Sequence, residues 1–143
     1  MDTQSFVDAV DRARVVDAIR AAEARSSGEI AVHVSEGEVD DVEKAAAAQF
    51  AQQGLTATRD HNAVLLFVAP RSRKFAVIGD AAIHSKCGPS FWTEVAQAMQ
   101  EDFRAARFTE GLVKGVARVG DALAVHFPRR KDDVNELPDE VTG

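Results

Sequence analysis

The spacing of apolar residues changes along this chain, and each spacing predicts a different element of secondary structure. Over residues 3–26 the apolar side chains recur every three or four positions, which places them on one face of an amphipathic helix. Over residues 29–35 the larger apolar side chains come at every second position, as in a β-strand. Residues 62–69 are almost continuously apolar and predict a central strand buried on both faces, and residues 74–79 predict the strand that follows it.

Further helices follow from the same reasoning. They are predicted at about residues 41–53, 89–104 and 109–127. Thr109 is a suitable residue to cap the start of the last helix, and Pro128 cannot continue it. Residues 80–88 show no clear period, and we expect them to be irregular.

The order of these elements predicts an α/β fold. The strand at 29–35, the helix at 41–53 and the strand at 62–69 form a βαβ unit, whose strands should run parallel with a right-handed crossover. The tight polar turn at 70–73 joins the strands on either side of it as an antiparallel hairpin. We therefore expect one domain over residues 1–127, a small mixed sheet of three to four strands with helices packed on it.

Residues 128–143 form a charged tail, basic at its start and acidic beyond. The tail has few apolar residues and is predicted to be mobile. Within it, residues 134–138 space apolar side chains between polar ones, as a short linear recognition segment does. The tail is therefore either an attachment segment for a protein partner or for its own domain, or a solubilising extension.

Composition and charge narrow the classes of function. The net charge of −6 argues against binding nucleic acid or acidic lipid surfaces, because both need a surplus of Lys and Arg on one face. The single cysteine, Cys87, rules out an internal disulfide. The first residues lack the basic and apolar segments of a signal peptide, and no stretch approaches the ~18 apolar residues of a spanning helix. We therefore expect a cytoplasmic protein that does not insert into membranes.

Acidic residues are predicted to meet at one rim of the sheet. Parallel strands start at the same edge, and a following antiparallel strand ends there, so Glu29, Asp60 and Asp80 should converge. Carboxylate oxygens gathered in this way suit Ca²⁺ or Mg²⁺. The other interpretation is that they are solvated turn residues. His61 and His84 are placed to flank the same rim, where each is either a ligand or proton shuttle or a surface residue.

Motifs of the common nucleophilic and phosphate-binding enzymes are missing. The sequence has no P-loop, no Gly-x-Ser-x-Gly elbow and no His-Glu-x-x-His, and we expect no organic cofactor. Cys87 lacks the arginine of a Cys-x5-Arg phosphatase loop, because position 93 is Thr93, so an inert cysteine is expected. Arg71, Arg73 and Lys74 crowd the hairpin turn, where they either bind an anion or form a solvated turn.

Several segments, in this order and spacing, resemble the TPM (thylakoid-lumen-phosphatase-like) domain family. They are Ser27-Gly28-Glu29-Ile30, Asp60-His61-Asn62-Ala63-Val64-Leu65-Leu66, Ala69-Pro70-Arg71-Ser72-Arg73-Lys74, Ile78-Gly79-Asp80 and Phe108-Thr109-Glu110-Gly111-Leu112. The resemblance covers roughly residues 10–127 and is to the short cytoplasmic type. It implies acid-phosphatase activity, as in some members, calcium binding, as in others, or an accessory role in membrane-protein complexes.

Two functions remain open at this point. The first is a non-catalytic interaction or accessory domain of the TPM type, with a divalent cation at the acidic rim. The alternative is a metal-dependent acid phosphatase with Glu29, Asp60 and Asp80 as ligands. Residues 80–87 replace the Gly-rich, Asp-bearing loop of secreted members. Catalysis would require an open coordination position beside a pocket that holds phosphate.

Overall fold

The computed structural model describes residues 1–129 and, for the backbone, residues 141–142. The helices are α1 (Thr3–Ala9), α2 (Arg12–Glu23), α3 (Val42–Gln52), α4 (Ala81–Cys87), α5 (Pro89–Arg104) and α6 (Phe108–His126). The strands are β1 (Ile30–Val34), β2 (Val64–Ala69), β3 (Lys74–Gly79) and β4 (Val141–Thr142). Short 3₁₀ turns occupy Leu55–Ala57 and Pro70–Ser72.

The predicted mixed sheet is confirmed, with β2 in a central position. The strand order is β3-β2-β1-β4. β1 and β2 run parallel from the pair Ile30 and Val64, whereas β2 and β3 are antiparallel and Val64 faces Gly79. The βαβ unit and the hairpin therefore share β2, as the sequence predicts.

Helices cover both faces of the sheet, which explains the continuous apolar run in β2. Every residue of β2 is at most 4% exposed. Val64, Leu66 and Val68 belong to the larger core cluster, which also contains buried residues of α2, α5 and α6. The alternate residues of β2 pack in a second cluster with Ala46 and Phe50 of α3. A strand that is buried on both faces is expected to be apolar at every position, as β2 is.

The prediction of one helix over residues 3–26 is wrong, because the chain breaks after Ala9. The Asp11 side chain accepts a hydrogen bond from the Arg14 amide and starts α2 as an N-cap. The break changes which residues of α2 face the core. Val15 is buried, whereas Ala13, which a continuous helix over residues 3–26 would place on the apolar face, is exposed.

The sequence predicts that Thr109 caps the last helix, but Thr109 does not cap α6. Its hydroxyl accepts a hydrogen bond from the Asp11 amide at 2.9 Å, so it joins the α1–α2 break to α6. The helix begins one residue earlier, at Phe108, and the preceding Arg107 supplies no side-chain cap. A local capping pattern could not reveal this contact between distant parts of the chain.

The prediction that residues 80–88 are irregular is wrong, since they contain α4. Asp80 occupies the N-cap position, and its side chain accepts a hydrogen bond from the Ala81 amide. Ile83 is the buried residue that anchors this helix to the core. A helix of 7 residues is too short for a clear hydrophobic period, so tertiary packing decides its existence.

The start of the tail contacts the domain. Pro128 forms an isolated bridge with Ser26, and Arg129 donates a hydrogen bond from Nη1 to the Glu23 carbonyl. β4 pairs parallel with β1, Val141 opposite Val32. The predicted linear segment 134–138 lies outside the described residues, and the predicted mobility of the tail stays a prediction. Within the described part of the chain, no helix has the length and hydrophobicity required to cross a membrane.

Candidate functional site

The sheet brings three strand ends to one rim. The Val64 amide donates to the Glu29 carbonyl at 2.8 Å, and the Asp80 amide donates to the Ala63 carbonyl at 2.9 Å. Glu29, Ala63 and Asp80 are therefore neighbours in one row across β1, β2 and β3. Strands are spaced about 4.8 Å apart, so the Cα atoms of Glu29 and Asp80 are separated by about 10 Å. The two side chains must therefore converge if both are to contact one ion.

Asp80 is the best-defined acidic residue of this rim. Its side chain is 15% exposed, and Oδ1 is engaged by the Ala81 amide at the start of α4. Its other oxygen, Oδ2, is buried and has no hydrogen-bond partner among the described residues. The Nδ1 atom of His61 lies 3.5 Å from Oδ2, at ion-pair distance. A buried carboxylate oxygen in this position favours a cationic partner.

The loop before β2 holds His61 beside Asp80. His61 has a left-handed backbone with φ of 50°, and its carbonyl accepts a hydrogen bond from the Ala82 amide at 3.0 Å. Its own amide donates to the Thr58 carbonyl. The loop is thereby joined to the first turn of α4, which limits the positions that the imidazole can take.

The remaining oxygen atoms near this loop differ in their exposure. Glu29 is 4% exposed, and the Asp60 side chain is 20% exposed with its Oδ1 at 3.8 Å from Arg59 Nε. The Thr58 hydroxyl is buried and has no hydrogen-bond partner among the residues described. Sequence reasoning missed Thr58, because a threonine in a polar loop carries no recognisable metal-binding signal.

The predicted metal ligands do not form a preassembled cluster. Across residues 1–129, no group of three or more His, Cys, Asp and Glu side chains is arranged to hold a metal ion. The structure therefore places Glu29 before β1 and Asp80 after β3 at the same edge of the sheet, with β2 between the two strands, while their joint action on an ion stays a prediction.

The backbone of His84 lies beside the rim, since its amide donates a hydrogen bond to the Asp80 carbonyl at 2.9 Å, while its imidazole packs on α5. The imidazole stacks on Trp92 of α5, with ring centroids 6.4 Å apart and an interplanar angle of 15°. Both rings line a cavity of about 880 Å³ along β3 and α5. The His84 imidazole thus lines this cavity, and its predicted role beside the rim stays a prediction.

Cys87 and His33 have environments that affect their protonation. Burial raises the pKa of the Cys87 thiol, which disfavours the reactive thiolate and supports the expectation of an inert cysteine. Burial also lowers the pKa of His33, whose ring stacks on Phe67 at 5.6 Å.

A buried ion cluster around Asp102 was missed at the sequence level. The Asp102 side chain is 5% exposed and accepts bonds from Arg107 Nε at 3.0 Å and from Lys114 Nζ at 3.0 Å. These hydrogen bonds, first from Lys114 and then from Arg107, hold the pKa of Asp102 below its usual value. The cluster fastens the α5–α6 connection and contributes to structure rather than to the rim.

Three cavities lie along other parts of the described chain. One of about 880 Å³ runs beside β3 and α5, another of about 580 Å³ lies at the hairpin end, and a third of about 290 Å³ lies along α5 and α6. None of the three is lined by Glu29, Asp60 or Asp80 among the described residues. The three acidic side chains therefore do not line these cavities, although Gly79, which precedes Asp80, lines the one beside β3 and α5.

The fold and the rim define a mixed α/β domain in which a βαβ unit and a hairpin share a central strand. Residues 1–122 match the TPM domain. The chain belongs to the TPM domain family. No curated protein matches the sequence.

Solved structures agree with this assignment. The chain is similar to the BA42 protein of the psychrophilic bacterium Bizionia argentinensis, with 38% identity and a TM-score of 0.82 over 90% of this chain and 88% of that one. The N-terminal domain of a protein from P. gingivalis shares the fold, with 20% identity and a TM-score of 0.61 over 80% of this chain and 76% of that one.

Proposed function

We propose that this TPM domain is a non-catalytic interaction domain that binds a divalent cation at its acidic rim. The observation that carries the cation site is the buried Oδ2 of Asp80, which accepts no hydrogen bond from the described residues and has only the His61 imidazole at ion-pair distance. A buried carboxylate oxygen without a hydrogen bond is costly, and a bound cation would reduce that cost.

The oxygen donors near Asp80 fit a hard cation. Glu29 and Asp60 supply carboxylates, and the buried Thr58 hydroxyl supplies a neutral oxygen. Ca²⁺ accepts such mixed oxygen ligands in flexible geometry, while Mg²⁺ would keep several waters beside one or two carboxylates. The residues present therefore fit Ca²⁺ or Mg²⁺ better than a metal that prefers sulfur ligands.

The position of the rim supports a non-catalytic role. Metal-assisted hydrolysis needs an open coordination position beside a pocket that can hold the phosphate group. The three cavities described above are lined by other residues. A cation at the rim would then tie the loop before β2 to the first turn of α4 and stabilise that surface for a partner.

Calorimetric titration with Ca²⁺, Mg²⁺ and Mn²⁺ tests the cation site. We expect Asp80→Asn, which keeps an N-cap for α4, to weaken binding by tenfold or more. Asp17→Asn on the exposed side of α2 is the matched control and should bind as the wild type does. If the wild type binds none of the ions, or if Asp80→Asn binds as tightly, the cation site is wrong.

A metal-dependent acid phosphatase is the second candidate function, and the His61–Asp80 pair favours it. An imidazole 3.5 Å from a buried carboxylate oxygen has the geometry of a general acid supported by a carboxylate. The candidate predicts phosphomonoester hydrolysis that requires a divalent ion and is lost in His61→Gln, Asp60→Ala and Asp80→Ala. Cation binding without turnover would favour the interaction domain instead.

The partner and the compartment belong to the same proposal. The acidic tail, with its segment 134–138, supports a protein partner, since apolar residues between charged ones suit a linear recognition motif. The single cysteine supports a cytoplasmic location, where thiols stay reduced. Fractionation of cells that produce the full chain tests the compartment, and recovery of the protein in an exported fraction would overturn it.

A further inference from the structure

A cavity at the hairpin end of the sheet has the properties of a ligand site. It measures about 580 Å³ and lies where β2 ends and β3 begins, with α1, α5 and α6 around it. Its lining residues are Met1, Phe6, Val68, Ala69, Pro70, Arg73, Lys74, Phe75, Gln100, Phe103, Arg104 and Phe108. The volume falls within the range of pockets that enclose small organic ligands.

The body of the cavity is aromatic. Phe75 and Phe108 each contact Phe103, with ring centroids 5.1 and 6.1 Å apart, and Phe6 lies 5.0 Å from Phe108. Phe6 is buried, while the other three rings are only partly buried. Apolar area that the domain leaves partly uncovered is free to pack against an apolar ligand.

The charged residues of the cavity are all basic, in a protein whose net charge is −6. Arg73 and Arg104 are exposed and form no ion pair with other described residues. Lys74 donates a hydrogen bond from Nζ to the Asp40 carbonyl at 2.8 Å, so its charge stays uncompensated by a carboxylate. No Asp or Glu is among the described lining residues. The mouth of the cavity therefore favours an anion.

Arg73 is not required by the geometry of its turn. Its backbone is left-handed, with φ of 51°, a conformation that Gly or Asn adopts more readily. The turn thus keeps a long cationic side chain where a residue without charge would fit the backbone better. This supports a role for the guanidinium itself.

We propose that this cavity binds a single-chain organic anion, with its carboxylate at Arg73 and Arg104 and its apolar chain against the phenylalanines. Guanidinium groups recognise carboxylates through paired hydrogen bonds, and the aromatic wall takes up the methylene groups. A medium-chain fatty carboxylate combines both features. The site is independent of the acidic rim, which lies at the opposite end of the sheet.

Decanoate, used below its micellar concentration, is the probe that tests this site. In amide NMR spectra of the full chain, decanoate should shift the signals of Arg73, Phe75 and Arg104 and leave those of His61 and Asp80 unchanged. Decanol, which has the same chain without the charge, should bind about tenfold more weakly. Octanoate, two methylene groups shorter, should also bind on the order of tenfold more weakly.

Charge variants distinguish binding at this site from a general attraction of the decanoate anion to basic side chains. The double variant Arg73→Gln, Arg104→Gln should reduce decanoate affinity about tenfold or more, whereas Arg20→Gln on the exposed side of α2 should leave it unchanged. Equal binding of decanol and decanoate, or an equal loss in Arg20→Gln, would overturn the proposal. Co-sedimentation with phosphatidylglycerol vesicles without binding of free decanoate would also overturn it, in favour of a membrane surface.

Discussion

Single residues in this domain often satisfy one contact and leave another atom available. Asp80 caps α4 with Oδ1, while Oδ2 stays buried beside His61. Thr109 sits where a helix cap was expected, but its hydroxyl serves the Asp11 amide. In both cases the residue type indicates a polar role, and only the neighbouring backbone determines which group it contacts.

His33 should make stability depend on pH. Burial lowers its pKa in the folded state, so below the unfolded value of about 6.5 the unfolded chain binds more protons. Stability should therefore fall as the pH drops from about 7.5 to 5.5, and it should fall less in His33→Gln. Urea denaturation of both proteins across this range measures the difference. Parallel pH curves would contradict the prediction.

At the scale of elements, the sequence predicts the strands of the sheet better than it predicts the helices around them. β2 needs only a continuous apolar run between two covering layers, which is visible in the sequence. The α1–α2 break and the short helix α4 have no comparable local signal. Their positions follow from a side-chain cap at Asp11 and from the burial of Ile83.

Leu66→Ala tests the central position of β2. Leu66 is fully buried in the larger core cluster, so its truncation should lower the free energy of unfolding by about 2–5 kcal/mol. Chemical denaturation measures this loss. Val125→Ala, at a residue of α6 that is 74% exposed, is the control and should have little effect. An unchanged midpoint for Leu66→Ala would argue against the assignment.

Gly120→Ala tests the close approach of α2 and α6. A Cβ atom at this position would lie 2.6 Å from the Cβ of Ala22, so the helices would have to move apart. We expect a loss of about 1–3 kcal/mol, reduced by the better helix propensity of alanine. Gly37→Ala meets nothing within 4 Å and serves as the control in thermal unfolding. Equal midpoints for the two variants would show that the interface adapts.

At the scale of the whole molecule, the two ends of the sheet differ in charge. Carboxylates gather where β1 and β2 begin, and basic residues surround the cavity at the β2–β3 turn. The excess of acidic residues in the composition conceals this separation. The two candidate sites can therefore be tested by different ligands and different variants in the same protein.

Shortening the chain to residue 129 tests the contribution of the tail. Because β4 pairs with β1 at Val32 and His33, we expect the thermal midpoint to fall when β4 is removed. A chain ending at residue 140 lacks β4 but keeps the acidic segment, so it should show the same loss. If neither chain is destabilised, the pairing contributes nothing measurable to stability.

The sequence by itself determined the α/β class, the order of the strands along the chain, the central position of β2 and the TPM resemblance. These follow from local periodicity, since a strand covered on both faces must be apolar at every position. It also indicated that Glu29 and Asp80 lie at the same edge of the sheet, because parallel and antiparallel connections determine which strand ends meet.

Only the tertiary structure decided which side chains touch. The ion-pair contact of Asp80 with His61, the Asp102 cluster and the basic aromatic cavity each join residues that are separated along the chain. The cavity draws its lining from α1, β2, β3, α5 and α6, and no window of sequence contains these elements together. Such contacts depend on how the helices pack on the sheet, which hydrophobic periodicity alone does not specify.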